Sequence, residues 1–377
     1  MITVGASTNP HFVGIPVTVP SLGTFGAALG QFNNFGKINV TYTTTTPTNG
    51  CSAISGNLSG RVALIARGTC TFSTKIRNAQ NAGALGTLVY NNVAGDPTAM
   101  AQDGTPNQPT IPAAMVSRSN GLAMASASPK TAIIDGTARQ EFFTDGPSAD
   151  IIAGFSSRGP PMIGSTILKE VKPDVVAPGV NVYSSILMTS CSQPPCFAFF
   201  QGTSMATPHV AGSAALLKQL HPDWSPLQVK SALVNTAHRP VGSSSTNTPL
   251  PNPMDRGGGR IDLAATSQTT ATISIGKFTS IGFGAVPAAA STQTAQVSVT
   301  SVASSPFTYT ITVVPAVSGV SVTTSVNSFT VNPGGTGGVK VTLTVTPTTA
   351  PKDYYGDIVL TGGTVTLQVP YWIRVTP

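Results

Sequence analysis

The sequence predicts a multidomain protein: an α/β core on a parallel sheet, a β-rich α+β unit set into that core, and an all-β C-terminal sandwich. Three observations predict this. Short continuous apolar runs such as Val62-Ala63-Leu64-Ile65 and Val175-Val176-Ala177 read as strands buried on both faces. From about Ala271 the hydrophobic period switches to two, as half-buried antiparallel strands require. The 377 residues give room for two or three domains with full cores.

Composition narrows the class. Only 9% of residues are charged, while 38 Gly and 31 Pro suggest strands and tight turns. A mean hydropathy of +0.17 and clear alternating segments argue for folded structure over disorder. The net charge of +7 is diffuse, with no Lys/Arg run, so neither nucleic acid nor a membrane surface is an expected partner. No apolar run approaches the ~18 residues of a membrane helix. Met1-Ile2-Thr3-Val4 has no basic start, apolar core or small-residue cleavage site, so no signal peptide is read there, and the chain opens as though partway through a strand. The four cysteines form two sequence-local pairs, Cys51 with Cys70 and Cys191 with Cys196. Local pairing is expected among the three possible connectivities. Neither pair has a second Cys or His cluster beside it, so no metal site is expected, and no cofactor motif is found. Paired cysteines point to an oxidising, extracellular compartment.

In chain order, Ile2 to Ser7 reads as a short buried strand. After Phe12 come loops and β segments, then a βαβ unit: a strand from Gly60 to Arg67, a helix from Ser73 through Ala82, and a strand from Leu85 to Tyr90. Ile111 to Val116 and the start near Gly121 suggest one more strand and helix. Lys75 and Arg77 read as solvated helix residues. At Ile151 the first theme returns, with strands at Val175–Ala177 and Val180–Ser185. A long helical pattern then runs from Gly202 to about Leu220, and Ser225-Pro226 starts the next helix as N-cap and first-turn proline. Val229, Ala232, Leu233 and Thr236 mark the core face of that helix. In the C-terminal part, Ile273/Ile275, Val297/Val299, Tyr309/Ile311/Val313 and Val341/Leu343/Val345 alternate with polar residues. Gly362-Gly363 is a hairpin turn, and seven or eight short strands fit a β-sandwich.

The stretch Gly202-Thr203-Ser204-Met205-Ala206-Thr207-Pro208-His209-Val210-Ala211-Gly212 carries the chemistry. It holds a hydroxyl at the start of a helix, where unpaired backbone N–H groups and the helix dipole favour an oxyanion. This segment resembles the nucleophile motif of the subtilisin-like serine proteases (subtilases), with Ser204 as nucleophile and its backbone N–H as an oxyanion donor. Phe155-Ser156-Ser157-Arg158-Gly159-Pro160, Val171-Lys172-Pro173-Asp174 through Val180, and Gly257-Gly258-Gly259-Arg260-Ile261-Asp262 are similar to further core motifs of that family. Gly60 to Arg67, Gly68-Thr69-Cys70-Thr71-Phe72, Lys75, the Asn78 to Ala84 helix and Tyr90-Asn91-Asn92 resemble the protease-associated domain inserted in many subtilases. Tyr355-Gly356-Asp357-Ile358 and Val369-Pro370-Tyr371 resemble their C-terminal fibronectin type III-like domains. The resemblance implies a subtilase core at residues 1–14 and 146–267, a protease-associated domain at 15–145 and a fibronectin type III-like sandwich at 268–377.

A serine hydroxyl needs a base within hydrogen-bond reach, and the base needs an orienting carboxylate. His209 lies five residues past Ser204, about 140° around and about 7.5 Å along the helix, facing elsewhere. His221 and His238 lie at helix C-termini, and His11 in a loop. None has the family's His-Gly-Thr setting, and Asp174 is not at the family's triad position. In the family order the Asp, the His and the oxyanion Asn all precede the strand that resembles Ile2 to Ser7. The sequence therefore leads one to expect a secreted endopeptidase acting on polypeptides through Ser204. Its triad Asp and His would lie in a missing N-terminal half of the catalytic domain, so the chain alone would be inactive, with an apolar sheet edge and cleft wall left open. The competing expectation is a non-catalytic module binding polypeptide or cell-surface material.

Overall fold

The computed structural model describes residues 1–9, 11–139, 141–144, 150–190, 196–239, 241–243 and 248–377. The described chain is rich in strands, with few helices and several separate sheets.

The core that carries Ser204 is small. Val4–Ser7 pairs in parallel with Val175–Pro178, Val4 opposite Val175 and Ser7 opposite Pro178. Parallel neighbours need a long crossover, and here the excursion between them holds an entire second unit. Both outer edges of the pair are partly occupied. On one side Ala153 N–H donates to the Ala6 carbonyl (2.9 Å), and Ala6 N–H to Ser156 Oγ (3.0 Å). On the other, Val176 N–H donates to Gly259 O (2.9 Å) and Ile261 N–H to Val176 O (3.0 Å). The expectation of an open sheet edge is thus corrected from Ala6 to Thr8, where the returning chain at Ile151–Ser156 supplies the missing partners.

Helices Thr203–Leu220 and Pro226–Asn235 pack on this pair through Ala206, Val210, Leu217, Val229 and Leu233. The second helix starts on a capping box, Ser225 Oγ accepting from Gln228 N–H while the Gln228 side chain accepts from Ser225 N–H. It is buried from Val229 to Asn235, not on one face only as the apolar spacing implied. The reason is the sandwich behind it: Asn235 Nδ2 donates to Thr279 O and Gln368 O, both at 2.9 Å. The helix Thr203–Leu220 is covered on one side alone. Ala206, Val210, Ser213 and Leu217 are buried, while Thr207, Pro208, Ala211, Gly212, Ala215, Leu216 and Leu220 form an exposed stripe at helical spacing.

The unit between Ser7 and Ile151 is one sheet of eight strands. Along it lie Gly23–Ala27, Phe12–Val19, Thr131–Asp135, Lys37–Thr44, Arg61–Ala66, Gly86–Tyr90 and Ala113–Val116, with Glu141–Phe143 beside Phe12–Val19. Phe12 to Gly14 pair with Glu141–Phe143, so this sheet begins at Phe12, three residues before the expected boundary at 15. The sheet curls until Ala28 and Met115 exchange backbone hydrogen bonds (2.7 and 2.9 Å), bringing its ends together. Helices Phe72–Asn81 and Arg118–Ser126 cover it, capped by Thr71 and Ser117. Cys51 is bonded to Cys70. The expected Cys191–Cys196 pair falls outside the described residues, because Cys191 does. Lys75, read from sequence as solvated, is fully buried: its ammonium donates to Asn49 O (2.5 Å) and Gly68 O (2.6 Å) and lies 3.3 Å from Cys51 Sγ. Acceptors from two segments outside the helix, Asn49 and Cys51 on one and Gly68 on the other, make the burial tolerable, and no helical periodicity shows them.

From Ala271 onward two antiparallel layers face each other. One orders Ala271–Ser274, Ser291–Ser301, Thr336–Val345 and Ser321–Thr324; the other Ile281–Pro287, Leu367–Thr376, Asp353–Thr361, Phe307–Pro315 and Ser328–Val331. The one parallel neighbour is Ile281–Pro287 with Leu367–Thr376. Val299, Val341 and Leu343 meet Tyr309, Ile358 and Val369 in a closed core. Nine strands stand where seven or eight were expected.

The sandwich and the core that carries Ser204 are joined by buried charge. Asp357 lies 2.6 Å from Arg239 Nη1 and 3.5 Å from Arg256 Nη2. Burial lowers both arginines, Arg239 to about 10, against the pull of Asp357. Trp372 is fully buried against Val171 and Met254 in the same seam.

Candidate active site

Ser204 owes its position to two close backbone approaches. Gly179 N–H donates to Ser7 O and Gly202 N–H to Gly179 O, each at 2.8 Å, which hangs the helix start on the carboxyl ends of the two parallel strands. A side chain at Gly179 would put Cβ 2.7 Å from both Ala6 Cβ and Gly202 O. Gly202 has φ +152°, and a Cβ there would stand 2.8 Å from Ser204 Oγ. Gly202 therefore clears space for the hydroxyl, and Gly179 lets the helix start pack against Ala6.

Met205 and Ala206 donate their N–H groups to Gly202 O at 3.0 and 3.3 Å. The Thr203 and Ser204 N–H groups, at the first two helical positions, have no acceptor among the described residues. They mark where the helix start would stabilise negative charge. Pro208, sixth in the helix, has no N–H to return to the Ser204 carbonyl. Ser204 is exposed, and its Oγ makes one contact among the described residues, with Met205 Sδ at 3.8 Å.

The four histidines are engaged elsewhere. His209 turns back along its own helix, Nδ1 lying 2.8 Å from Met205 O. His221 ends the nucleophile helix and stacks on Trp224, ring centroids 3.9 Å apart. His238 Nε2 is 3.8 Å from Asp150 Oδ2, and His11 meets Phe142 edge-on. Among the described residues none hydrogen-bonds Ser204 Oγ.

Asp174 is an anchor. Its Oδ2 accepts from Thr3 N–H (2.8 Å), Thr3 Oγ1 (2.9 Å) and Lys172 Nζ (2.9 Å), and its Oδ1 pairs with Lys230 Nζ at 2.8 Å. Burial pushes this carboxyl upward, but Lys230, the Thr3 amide and Lys172 outweigh it and hold the group below the usual carboxylate range. It thus ties the first strand to the second helix.

Two concavities reach the start of the helix Thr203–Leu220, one at Met205 and one at Gln201. A groove of about 470 Å³ runs beside Met205, Pro208 and His209 under Tyr183 and Phe200. A cavity of about 270 Å³ lies between the eight-stranded unit and the core, lined by Arg67, Asn91 and Asn92 from the first and by Phe155 and Gln201 from the second. Sequence reasoning missed these residues. Arg67, Asn91 and Asn92 stand more than 100 positions before Ser204 in the sequence, yet they share this cavity with Gln201. The adjacent Tyr90-Asn91-Asn92 run was the one available signal.

The family model described as the subtilase family matches residues 1–259 of this chain. The minor extracellular protease Vpr of Bacillus subtilis is 38% identical over 183 residues, covering 48% of this chain and 21% of that protein. The subtilisin-like protease SBT3.9 of Arabidopsis thaliana is 32% identical over 275 residues, covering 70% of this chain and 35% of that protein. The chain thus matches between about a fifth and about a third of the length of these two relatives. Among solved structures, a zinc aminopeptidase from Bacillus subtilis is 20% identical over 38% of this chain and 34% of its own, with a TM-score of 0.27, too low to bear on fold or function.

Proposed function

The chain belongs to the subtilase family, and on that premise we propose that it carries the nucleophile part of a serine endopeptidase, with Ser204 forming the acyl-enzyme on a polypeptide substrate. The observation that supports this most is the setting of Ser204: exposed, at the start of an 18-residue helix, beside amides that have no acceptor among the described residues. In the reaction Oγ attacks the scissile carbonyl, the oxygen of the tetrahedral intermediate meets the Ser204 N–H, and a base takes the Oγ proton. The base, its carboxylate and the second oxyanion donor come from polypeptide outside this chain. That reading fits the positions of the four histidines and of Asp174. It also fits the uncovered stripe from Thr207 to Leu220, an apolar helix face of the kind a partner element buries. The missing N-terminal half of the catalytic domain is the proposed occupant.

The eight-stranded unit is read as a protease-associated domain and the C-terminal sandwich as a fibronectin type III-like domain, neither catalytic. An extracellular location is proposed from the bonded Cys51–Cys70 pair. No helix among the described residues is long and apolar enough to cross a membrane.

The second reading is a polypeptide- or surface-binding module, favoured by the closed cores of the two flanking units beside an incomplete catalytic centre. Hydrolysis of casein by a longer polypeptide that adds the upstream half separates the two. The protease reading predicts activity that falls by about 10⁶ in Ser204→Ala, the size of effect that loss of the nucleophile has in subtilisin. Equal turnover by the variant would contradict it.

A further inference from the structure

Lys75 presents an unusual charge balance. Its side chain is fully buried, and its three N–H donors are spent on Asn49 O, Gly68 O and Cys51 Sγ. Among the described residues no carboxylate pairs with it; the nearby charged groups are all committed elsewhere. Asp103 accepts from Thr71 Oγ1 (2.8 Å) at the helix N-cap, Arg67 donates to Asn91 Oδ1 (2.9 Å), and Arg77 reaches Thr105 Oγ1 and Asn107 O. A buried cation without a counter-ion is costly. Burial accordingly lowers the Lys75 ammonium, with no anion opposing it.

The neighbour that could become an anion is Cys51. While bonded to Cys70 its sulfur is neutral. Reduced, it would be a thiolate 3.3 Å from the ammonium. We propose that Cys51–Cys70 is a reversible redox site, opened by small dithiols to a state in which the Cys51 thiolate is the counter-ion of Lys75. The step balances as one dithiol giving two electrons and two protons: the protein S–S bond breaks, Cys70 takes one proton, the other goes to solvent, and the dithiol leaves as its cyclic disulfide. Both cysteines are half-buried, within reach of a small reagent. The loop also has grips that do not depend on the bond. Lys75 holds Asn49 and Gly68 from opposite arms, and Asn78 Nδ2 donates to Gly50 O at 2.9 Å. The reduced chain therefore keeps its fold. The disulfide lies beside Arg67 in the sequence, and Arg67 lines the cavity that reaches Gln201.

The test uses the full chain equilibrated in mixtures of reduced and oxidised dithiothreitol, with Cys51 and Cys70 read by alkylation and peptide mass. Lys75→Met is expected to require about tenfold more reducing conditions for half-opening, because one unit of thiol acidity is tenfold in equilibrium. In Cys70→Ser, alkylation of Cys51 by iodoacetamide should rise with a midpoint below the ordinary thiol value of about 8.5. Adding Lys75→Met should return it to that value or above. An unchanged reduction ratio in folded Lys75→Met, or a Cys51 midpoint at or above about 8.5 in Cys70→Ser, overturns the proposal. If Lys75→Met does not fold, the Cys70→Ser profile decides by itself.

Discussion

The C-terminal sandwich and the core that carries Ser204 solve the same problem with unequal means. The sandwich closes on itself: Val299, Val341, Leu343, Tyr309 and Ile358 come from both of its sheets and are shut away from water by its own strands. The core borrows. Its parallel pair is four residues long, its edges are partly filled by the returning chain at Ile151–Ser156 and by Gly259 and Ile261, its second helix is covered by the sandwich, and its first helix is bare along one side. One region is stable on local terms, and the other is a platform whose order depends on what is laid against it. Ser204, the proposed nucleophile, sits on the borrowing side.

The seam offers the sharpest way to break the comparison. Asp357→Ala leaves Arg239 and Arg256 buried without their anion, which should cost about 3–5 kcal/mol in the full chain. The protein has two tryptophans, Trp224 in the core and Trp372 at the seam. Denaturant titrations of single-tryptophan variants can therefore follow the two sides separately. The Trp224 transition should move to lower denaturant, while the isolated sandwich should melt at the same midpoint with or without Asp357→Ala. Equal shifts in both would show that the sandwich is no more self-sufficient than the core.

Acid should separate the two regions by a smaller margin. Asp174 is held below the ordinary carboxylate range in the folded core. A lowered folded value stabilises above the unfolded pKa of about 3.9, and the contribution disappears as pH falls through the folded value. The core signal should thus weaken from about pH 4 downward while that of the sandwich, whose interior cluster is built from apolar and tyrosine side chains, changes less. In Asp174→Asn the acid-dependent part should vanish. An unchanged acid limb in that variant would remove Asp174 as its cause.

Legibility in sequence followed the same division. The sandwich was readable because each strand alternates where one face is wet, as in Val339, Val341, Leu343 and Val345. The nucleophile motif was readable because a serine before an apolar helical run has a local signature. What could not be read depended on distant partners. Lys75 looked solvated because the carbonyls of Asn49 and Gly68 lie beyond its helix. The helix from Pro226 looked one-sided because Thr279 and Gln368 cover Asn235 from across the seam. Phe12 looked like core because its strand partner, Glu141–Phe143, comes about 130 residues later. Local pattern reports how a segment folds on itself, and only tertiary placement reports what it leans on.

Ser204, the proposed nucleophile, is exposed, and the proposal is that no base within this chain activates it. Incubating the chain alone with a fluorophosphonate probe and measuring intact mass tests that directly. The account predicts no adduct on Ser204. Stoichiometric labelling that disappears in Ser204→Ala would show that a base lies within reach and would contradict it.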